Sequence, residues 1–143
     1  MKNITLNIFI LLALLVSCSK HEMQEIIPGE TTITEAIDIL GEPMEVKTSS
    51  FNARDEMFHF EQGVLQVEKK QVKVIFRNPI EEEEKNLQYW REQHKESSST
   101  WNALRAPSGL GQFELKYPSE GVAVIFDSNI DKVIRIIKYE PKQ

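Results

Sequence analysis

The spacing of hydrophobic residues changes along the chain, and each spacing predicts a different element. An uninterrupted apolar run covers Ile8 to Val16, after the basic residue Lys2 and before a polar stretch that begins at Ser19. A membrane-spanning helix needs about 20 apolar residues, whereas a secretory signal needs a core of roughly 7–15. The pattern therefore predicts a signal peptide at residues 1–17, and an uncleaved N-terminal anchor is the alternative.

Helical spacing appears next, in a short segment that begins at Ile33. Its apolar face consists of four residues: Ile33, Ala36, Ile37 and Leu40. Thr32 and Glu35 have the spacing of a capping box, which places the first helical residue at Ile33. Gly41 suits the end of a helix, and Pro43 prevents its continuation. We therefore predict a short amphipathic helix between Thr32 and Gly41.

Between Met57 and Arg77 the apolar residues alternate with polar ones, which is typical of strands. The alternating positions are Phe58 and Phe60, then Val64 to Val67, then Val72, Val74 and Phe76. Gly63 and the pair Lys69-Lys70 mark two turns. This pattern predicts a three-stranded antiparallel meander.

A second helix is predicted after the meander. Asn78 is a suitable cap, Pro79 suits the first helical position, and Glu81 to Glu84 place negative charge in the first turn. Leu87 and Trp90 would form its apolar side. The acidic run is typical of a solvated helix start, and an acidic docking patch is the alternative.

The second half of the chain repeats this plan. Thr100–Pro107 aligns with Ala36–Pro43, and strand alternation returns at Phe113, Leu115 and Tyr117, at Val122, Val124 and Phe126, and from Val133 to Tyr139. We therefore predict an α+β domain at residues 29–143, made of two tandem units (29–78 and 79–143). Each unit is a helix with a three-stranded antiparallel meander, and the helices pack on one face of the joined sheet.

The only cysteine in the chain, Cys18, directly follows the apolar run. Leu15 and Ser17 stand three and one residues before it, as in the lipobox of a bacterial lipoprotein signal. Cleavage between Ser17 and Cys18 would leave Cys18 as the new N-terminus, carrying a thioether-linked diacylglycerol and an amide-linked acyl chain. Two or three such chains hold a protein firmly on one leaflet. Residues 18–28 are then a lipidated tether, and no disulfide is possible.

The remaining chemistry is sparse, and we predict neither a catalytic set nor a metal site. His59 stands between two phenylalanines and is expected to face solvent from a strand. Asp127 to Asp131 imitate the start of a calcium loop, but Lys132 and Lys138 occupy its sixth and twelfth positions, so we predict a turn. The formal net charge of −5 argues against a nucleic-acid partner. We therefore do not expect an enzyme, and no cofactor is predicted besides the covalent lipid.

The lipobox, Gly29-x-Thr31 and the segment Ala36-x-x-x-Leu40-Gly41-x-Pro43 together resemble the SmpA/OmlA/BamE family of small outer-membrane lipoproteins. The tandem arrangement resembles the fold of the β-lactamase inhibitor protein. The second unit departs from the motif, because Arg105 stands where the helix-closing glycine would be. The resemblance implies a lipid-anchored scaffold or binding module, in one branch beside the machinery that inserts β-barrel proteins, possessing no catalytic activity.

Two functions follow as expectations. The first is an envelope module that binds another protein, with the aromatic residues Trp90, Trp101 and Tyr117 as candidate contacts if they are exposed rather than in the core. The second is an envelope inhibitor or ligand-binding lipoprotein, which would need a concave sheet with exposed aromatics such as Tyr117 or Phe113. Ser19 and Lys20 lack the aspartate of inner-membrane retention, which favours the outer membrane, facing the periplasm. In a bacterium with a single membrane, the location would be the outer face of the plasma membrane.

Overall fold

A computed structural model describes residues 22–50, 52–94, 102–103, 112–127 and 130–141. These residues form an antiparallel sheet and two short helices, which is the α+β class that the sequence predicted. The helices are α1 (Ile33–Leu40) and α2 (Leu87–Gln93), and short 3-10 turns lie at Glu22–Gln24, Glu83–Lys85 and Pro118–Glu120. The strands are β1 (Glu45–Thr48), β2 (Asp55–Phe60), β3 (Gly63–Glu68), β4 (Gln71–Arg77), β5 (Asn102–Ala103), β6 (Gln112–Tyr117), β7 (Val122–Asp127) and β8 (Lys132–Tyr139).

Within the described residues the strands form one sheet in the order β1-β2-β3-β4-β8-β7-β6-β5. All neighbouring strands are antiparallel, and β4 joins the earlier strands to the later ones by pairing with β8. Four strands lie within the first predicted unit, residues 29–78, and four within the second, where three each were predicted. The extra strands are β1, which has a single apolar residue, and β5, which is two residues long. Such strands carry almost no alternation for a pattern to detect.

Helix α1 has the bounds that the sequence predicted. The Thr32 hydroxyl accepts the backbone N–H of Glu35, and the Glu35 carboxylate accepts the backbone N–H of Thr32 at 2.8 Å. This capping box satisfies two amide groups that the helix itself leaves unpaired. Gly41 ends the helix at a φ of 83°, a conformation that side-chain-bearing residues rarely adopt. The predicted capping box is confirmed. The sequence could predict it because every interaction it needs is local.

One side of the sheet carries most of the buried strand residues, and we call it the core face. Cross-strand partners on this face follow one another from β2 to β6: Phe58, Leu65, Ile75, Lys138, Val122 and Tyr117. A first buried cluster combines Ile33 and Ala36 of α1 with residues of β2 to β4. A second combines Leu87 and Trp90 of α2 with residues of β6 to β8. Burial of these apolar side chains is the main stabilising contribution to the fold.

The predicted tether at residues 18–28 is wrong for its described part, 22–28. Met23 and Ile26 are fully buried in the first cluster, together with the residues of α1. Met23 lies in the 3-10 turn Glu22–Gln24, and its terminal methyl group reaches toward Gly63. Two apolar residues spaced three apart in a polar segment were too weak a signal to predict a core element. Any free tether must therefore lie upstream of this turn.

The second helix begins later than predicted. The Asn78 and Pro79 start is wrong, because α2 begins at Leu87 and its cap is Asn86, whose side chain accepts the backbone N–H of Gln88 at 2.9 Å. The backbone N–H of Ile80 instead donates to the carboxylate of Glu84 at 2.9 Å. This carboxylate therefore holds the segment in a non-helical turn. The same contact changes the interpretation of the acidic run, since Glu84 is buried rather than solvated.

A buried ion pair lies where the two halves of the sheet meet. Arg77, at the end of β4, donates from Nη1 to Glu84 Oε2 at 2.8 Å and from Nη2 to Glu84 Oε1 at 2.5 Å. Arg77 is the register partner of Ile136 on β8, and Trp90 of α2 donates from Nε1 to the backbone oxygen of Glu84 at 2.7 Å. The pair thus connects the last strand of the first half to the helix of the second.

Candidate functional site: the open face of the sheet

The side of the sheet opposite the core face, which we call the open face, carries a row of cross-strand neighbours across six strands. From β2 to β6 through β8 and β7, the row is His59, Val64, Phe76, Ile137, Ala123 and Lys116. Every member except Ala123 is partly exposed. The centre of the row is apolar and its two ends are charged or polar. An apolar surface with a polar rim is characteristic of protein-binding sites.

A second row runs parallel to the first. Its members are Met57 on β2, Gln66 on β3, Val74 on β4 and Tyr139 on β8, all partly exposed. Gln66 donates from Nε2 to the carboxylate of Asp55 at 2.6 Å, so its side chain is held along the sheet. The two rows together form a surface of aliphatic and aromatic side chains on regular strands, which hold them in fixed positions.

The position of Val74 and Phe76 on the open face follows from a β-bulge that the sequence did not predict. Val72, Val74 and Phe76 were expected to share one face because they alternate. In the structure Gln66 pairs with Val74 but Val67 pairs with Val72, which leaves Lys73 as an extra residue. The bulge reverses the alternation, so Val72 is buried while Val74 and Phe76 are partly exposed.

A depression of about 570 Å3 lies at one edge of this surface, beside the turn between β2 and β3. Its lining includes Met57, His59, Val64, Phe76 and Arg135. His59 faces away from the core, as predicted, because its register partner is Val64 and not a buried residue. The depression combines apolar walls with a histidine and an arginine, which suits a side chain of a bound protein that carries both apolar and polar groups.

The charged groups at the two ends of the open face are already paired within the chain. Lys47 Nζ lies 2.8 Å from Glu45 Oε2, and Lys116 Nζ lies 3.0 Å from Glu114 Oε2. The hydrogen bond from Lys47 lowers the pKa of Glu45 below its usual value. Both ion pairs are solvent-accessible, so they would contribute to the orientation and specificity of binding rather than to the stability of the fold.

Two of the three candidate contact residues are in the core. Trp90 is 5% exposed and Tyr117 is 1% exposed. The ring of His94 lies between them, stacked on Trp90 at 5.6 Å and tilted against Tyr117 at 4.5 Å between centroids. Burial raises the pKa of Tyr117 to about 12. Trp90 and Tyr117 are therefore packing residues. Trp101, Ser17 and Cys18 lie outside the described residues.

The exposed aromatics expected for an inhibitor are also differently placed. Tyr117 is buried, and Phe113 packs against the second buried cluster, where its ring stacks on Phe126 at 5.9 Å. The aromatic residues of the open face are instead Phe76 and Tyr139. The sequence did not predict the position of Phe76, because the bulge at Lys73 leaves no signature in the alternation.

The described residues show few groups suited to other chemistry. Among them, no three His, Cys, Asp or Glu side chains come together as a possible metal site. None of the helices in this described part is long and apolar enough to cross a membrane. The predicted calcium-like segment has Asp127 and Asp131 at a turn, while residues 128–129 lie outside the description.

No family model, no curated protein and no solved structure matches this chain.

Proposed function

We propose that this chain is a lipid-anchored protein of the bacterial cell envelope that binds another envelope protein through the open face. The observation that carries the binding part is the six-strand row, whose partly exposed apolar centre includes Val64, Phe76 and Ile137. Isolated apolar residues on a surface are ordinary, but a contiguous row on a rigid sheet is typical of an interaction site. The aliphatic centre favours a partner surface that is itself apolar.

The anchoring part of the proposal is supported by the N-terminal pattern. The apolar run is shorter than a membrane-spanning helix and ends at Ser17-Cys18, and the chain contains no other cysteine. Ser19 and Lys20 after the cysteine favour delivery to the outer membrane, with the domain in the periplasm. Lipidation would keep the open face near the membrane surface and raise its effective concentration toward other proteins there.

We further propose that the two halves are copies of one unit, with both helices on the core face. The shared order of one helix followed by strands supports this, as does the antiparallel pairing of the last strand of each half, β4 with β8. Buried residues of both clusters also belong to continuous cross-strand rows of the same face, such as Leu65, Ile75 and Val122. Under this duplication β1, at one end of the sheet, corresponds to β5 at the other end.

Replacing Cys18 with alanine is expected to abolish fatty-acid labelling, because no lipid can be attached. The chain should then be found either in the soluble fraction or as the uncleaved precursor. The measurement is fractionation of the full chain, with metabolic labelling by a fatty acid. Ser19→Ala is the matched control and should remain labelled and membrane-bound. A Cys18→Ala chain that still incorporates the fatty-acid label, or a wild-type chain that does not, would contradict lipidation at Cys18.

A photo-crosslinking residue at Val64 is expected to give a discrete adduct with one protein in membranes, whereas the same residue at Asp38, exposed on α1, gives none. Ile137→Lys, which places a charge at the centre of the row, should reduce the Val64 adduct at least tenfold. Ile134→Lys is the control, because Ile134 is 37% exposed on the same strand and lies outside the row. Equal adducts from Val64 and Asp38, or an adduct insensitive to Ile137→Lys in a folded chain, would contradict binding through the open face.

A further inference from the structure

Strand β1 forms one end of the described sheet and has a partner on one side only, β2. All four of its residues are exposed, and Val46 retains 47% of its surface. Met44, just before the strand, is 72% exposed. An edge strand presents backbone N–H and C=O groups that can pair with another strand, and proteins usually block such edges with charges or bulges.

The backbone groups that face outward can be assigned from the ladder. Ser49 donates its N–H to the backbone oxygen of Asp55 at 2.8 Å, so the position of Ser49 faces β2. In an antiparallel ladder this direction alternates along the strand, so Glu45 and Lys47 also direct their backbone groups toward β2. Among the described residues, the N–H and C=O groups directed to the outer edge are therefore those of Val46 and Thr48.

The side chains of β1 add a charge pattern. Glu45 and Lys47 lie on the open face, where their register partners are His59 and Met57, and their side chains are 50% and 59% exposed. Val46 lies between them on the core face, opposite Phe58. The strand thus places a negative and a positive charge symmetrically about an exposed valine.

We propose that β1 pairs with β1 of a second copy of this chain, antiparallel and centred on Val46. A two-fold axis at this position brings Glu45 of each copy opposite Lys47 of the other, and it brings the two Val46 side chains together. It also lets the two Val46 residues exchange their outward backbone N–H and C=O groups, while Thr48 of each copy lies opposite Met44 of the other, whose N–H donates to His59 within its own chain at 2.8 Å. An axis at Lys47 would set lysine against lysine, and an axis at Glu45 would set glutamate against glutamate. Charge complementarity therefore selects one register.

The pairing would extend one sheet into the next and bury only a short edge on each copy. Interfaces of this size are weak in dilute solution, so the dimer is expected at high protein concentration or where chains are held on one surface. Opposite-charge cross-strand pairs contribute modestly, whereas like charges directly opposite each other are destabilising. In a symmetric dimer each charge substitution alters two Glu45–Lys47 pairs between the chains, so self-association responds strongly to a single substitution.

The test uses the full chain in detergent, with self-association measured by sedimentation and by co-purification of two differently tagged copies. Glu45→Lys alone and Lys47→Glu alone should each weaken self-association about tenfold, since both create two like-charge pairs. The doubly swapped chain, Glu45→Lys with Lys47→Glu, should associate like the wild type. Glu61→Lys and Lys69→Glu, exposed residues in the turns that follow β2 and β3, are the charge-matched controls and should change nothing.

Mixing the two single variants separates pairing between chains from effects within a chain. The ion pair between residues 45 and 47 is lost within each single variant. A mixed dimer nevertheless places the lysine introduced at position 45 of one chain opposite the glutamate introduced at position 47 of the other. Co-purification of the two variants should therefore exceed the self-association of either one by at least tenfold. A mixture that associates no better than the single variants, or a wild type that stays monomeric at high concentration, would overturn the proposal.

Discussion

Replacing Glu84 with alanine is expected to lower the free energy of unfolding by about 3–5 kcal/mol, as is typical when one partner of a buried ion pair is removed. The Arg77 side chain is only 3% exposed, and both of its terminal nitrogens donate to the Glu84 carboxylate. The substitution leaves this guanidinium buried without its counter-charge. Urea denaturation followed by tryptophan fluorescence measures the change.

The surrounding contacts predict that the damage spreads across the junction of the two halves. Glu84 also accepts the backbone N–H groups of Ile80 and Glu81, and its own backbone oxygen accepts the indole N–H of Trp90. The alanine variant keeps the last of these bonds and loses the carboxylate bonds. We therefore expect the segment before α2 to lose protection from hydrogen exchange first.

Glutamine at position 84 and alanine at position 82 are the matched variants. Glu84→Gln retains the size of the side chain and an acceptor oxygen, so its effect should lie between those of wild type and alanine. Glu82 forms an ion pair with Lys85 on the surface, where its side chain is 87% exposed, so Glu82→Ala should leave the unfolding midpoint nearly unchanged. Equal losses in Glu82→Ala and Glu84→Ala would contradict the buried pair.

The same pair determines a pH dependence. Burial raises the pKa of Glu84, but the hydrogen bonds from Arg77 and from the backbone N–H of Ile80 outweigh this effect, and the net pKa is lowered. A lowered pKa in the folded state means that the unfolded chain binds the proton more readily. The stabilisation is therefore present above the unfolded pKa of about 4.3, and it is lost as the pH falls through the lower folded value. The stability difference between wild type and Glu84→Gln should shrink over this acidic range.

Local signals explain why the start of α1 could be predicted and the start of α2 could not. The capping interactions of Thr32, Glu35 and Gly41 join residues within one or two turns, so the sequence specifies them directly. At Asn78 the same kind of local signal pointed to a helix, but the Glu84 carboxylate found a partner in Arg77 of the sheet. Leaving one partner of a buried ion pair unpaired costs more than losing a helix cap, and the existence of the pair depends on the assembled fold.

In the sheet, too, features encoded within one strand could be predicted and a feature that depends on strand pairing could not. Alternation identified β2, β3, β4, β6, β7 and β8, because each of these strands carries apolar residues at alternating positions. It could not identify the bulge at Lys73, which places Phe76 on the face opposite that of Val72. A bulge is a property of two paired strands, and neither strand alone encodes it in its periodicity. The candidate binding surface therefore depends on the bulge at Lys73, which the alternation of apolar and polar residues does not predict.

Gly121 is the second position where a large effect is expected. It follows Tyr117 in the chain much as Gly63 follows Phe60. The structure gives Gly121 a φ of 65° and ψ of 33°, the left-handed region. A Cβ atom there would lie 2.1 Å from the backbone oxygen of Tyr139. Its own backbone oxygen accepts the N–H of Tyr139 at 2.8 Å, so the two backbones are held in close contact.

Gly121→Ala should therefore destabilise the fold by on the order of 4 kcal/mol, since the left-handed conformation costs about 1–2 kcal/mol and overpacking adds about 1–3 kcal/mol. The obstructing atom belongs to the backbone of β8, so a rotamer change cannot relieve the clash. Equilibrium denaturation measures the loss, and Ser119→Ala, an exposed substitution in the same turn, should have little effect.

Asparagine at position 121 separates the two causes. Asparagine tolerates the left-handed conformation better than alanine does, yet it carries the same Cβ atom. Gly121→Asn should thus recover only the conformational part and remain destabilised by about 1–3 kcal/mol, the contribution of overpacking. A Gly121→Asn chain as stable as the wild type would mean that the start of β7 can move away from Tyr139 at no cost. Because Ala123 and Ile137 pair two residues further along these strands, such movement would also disturb the centre of the open face.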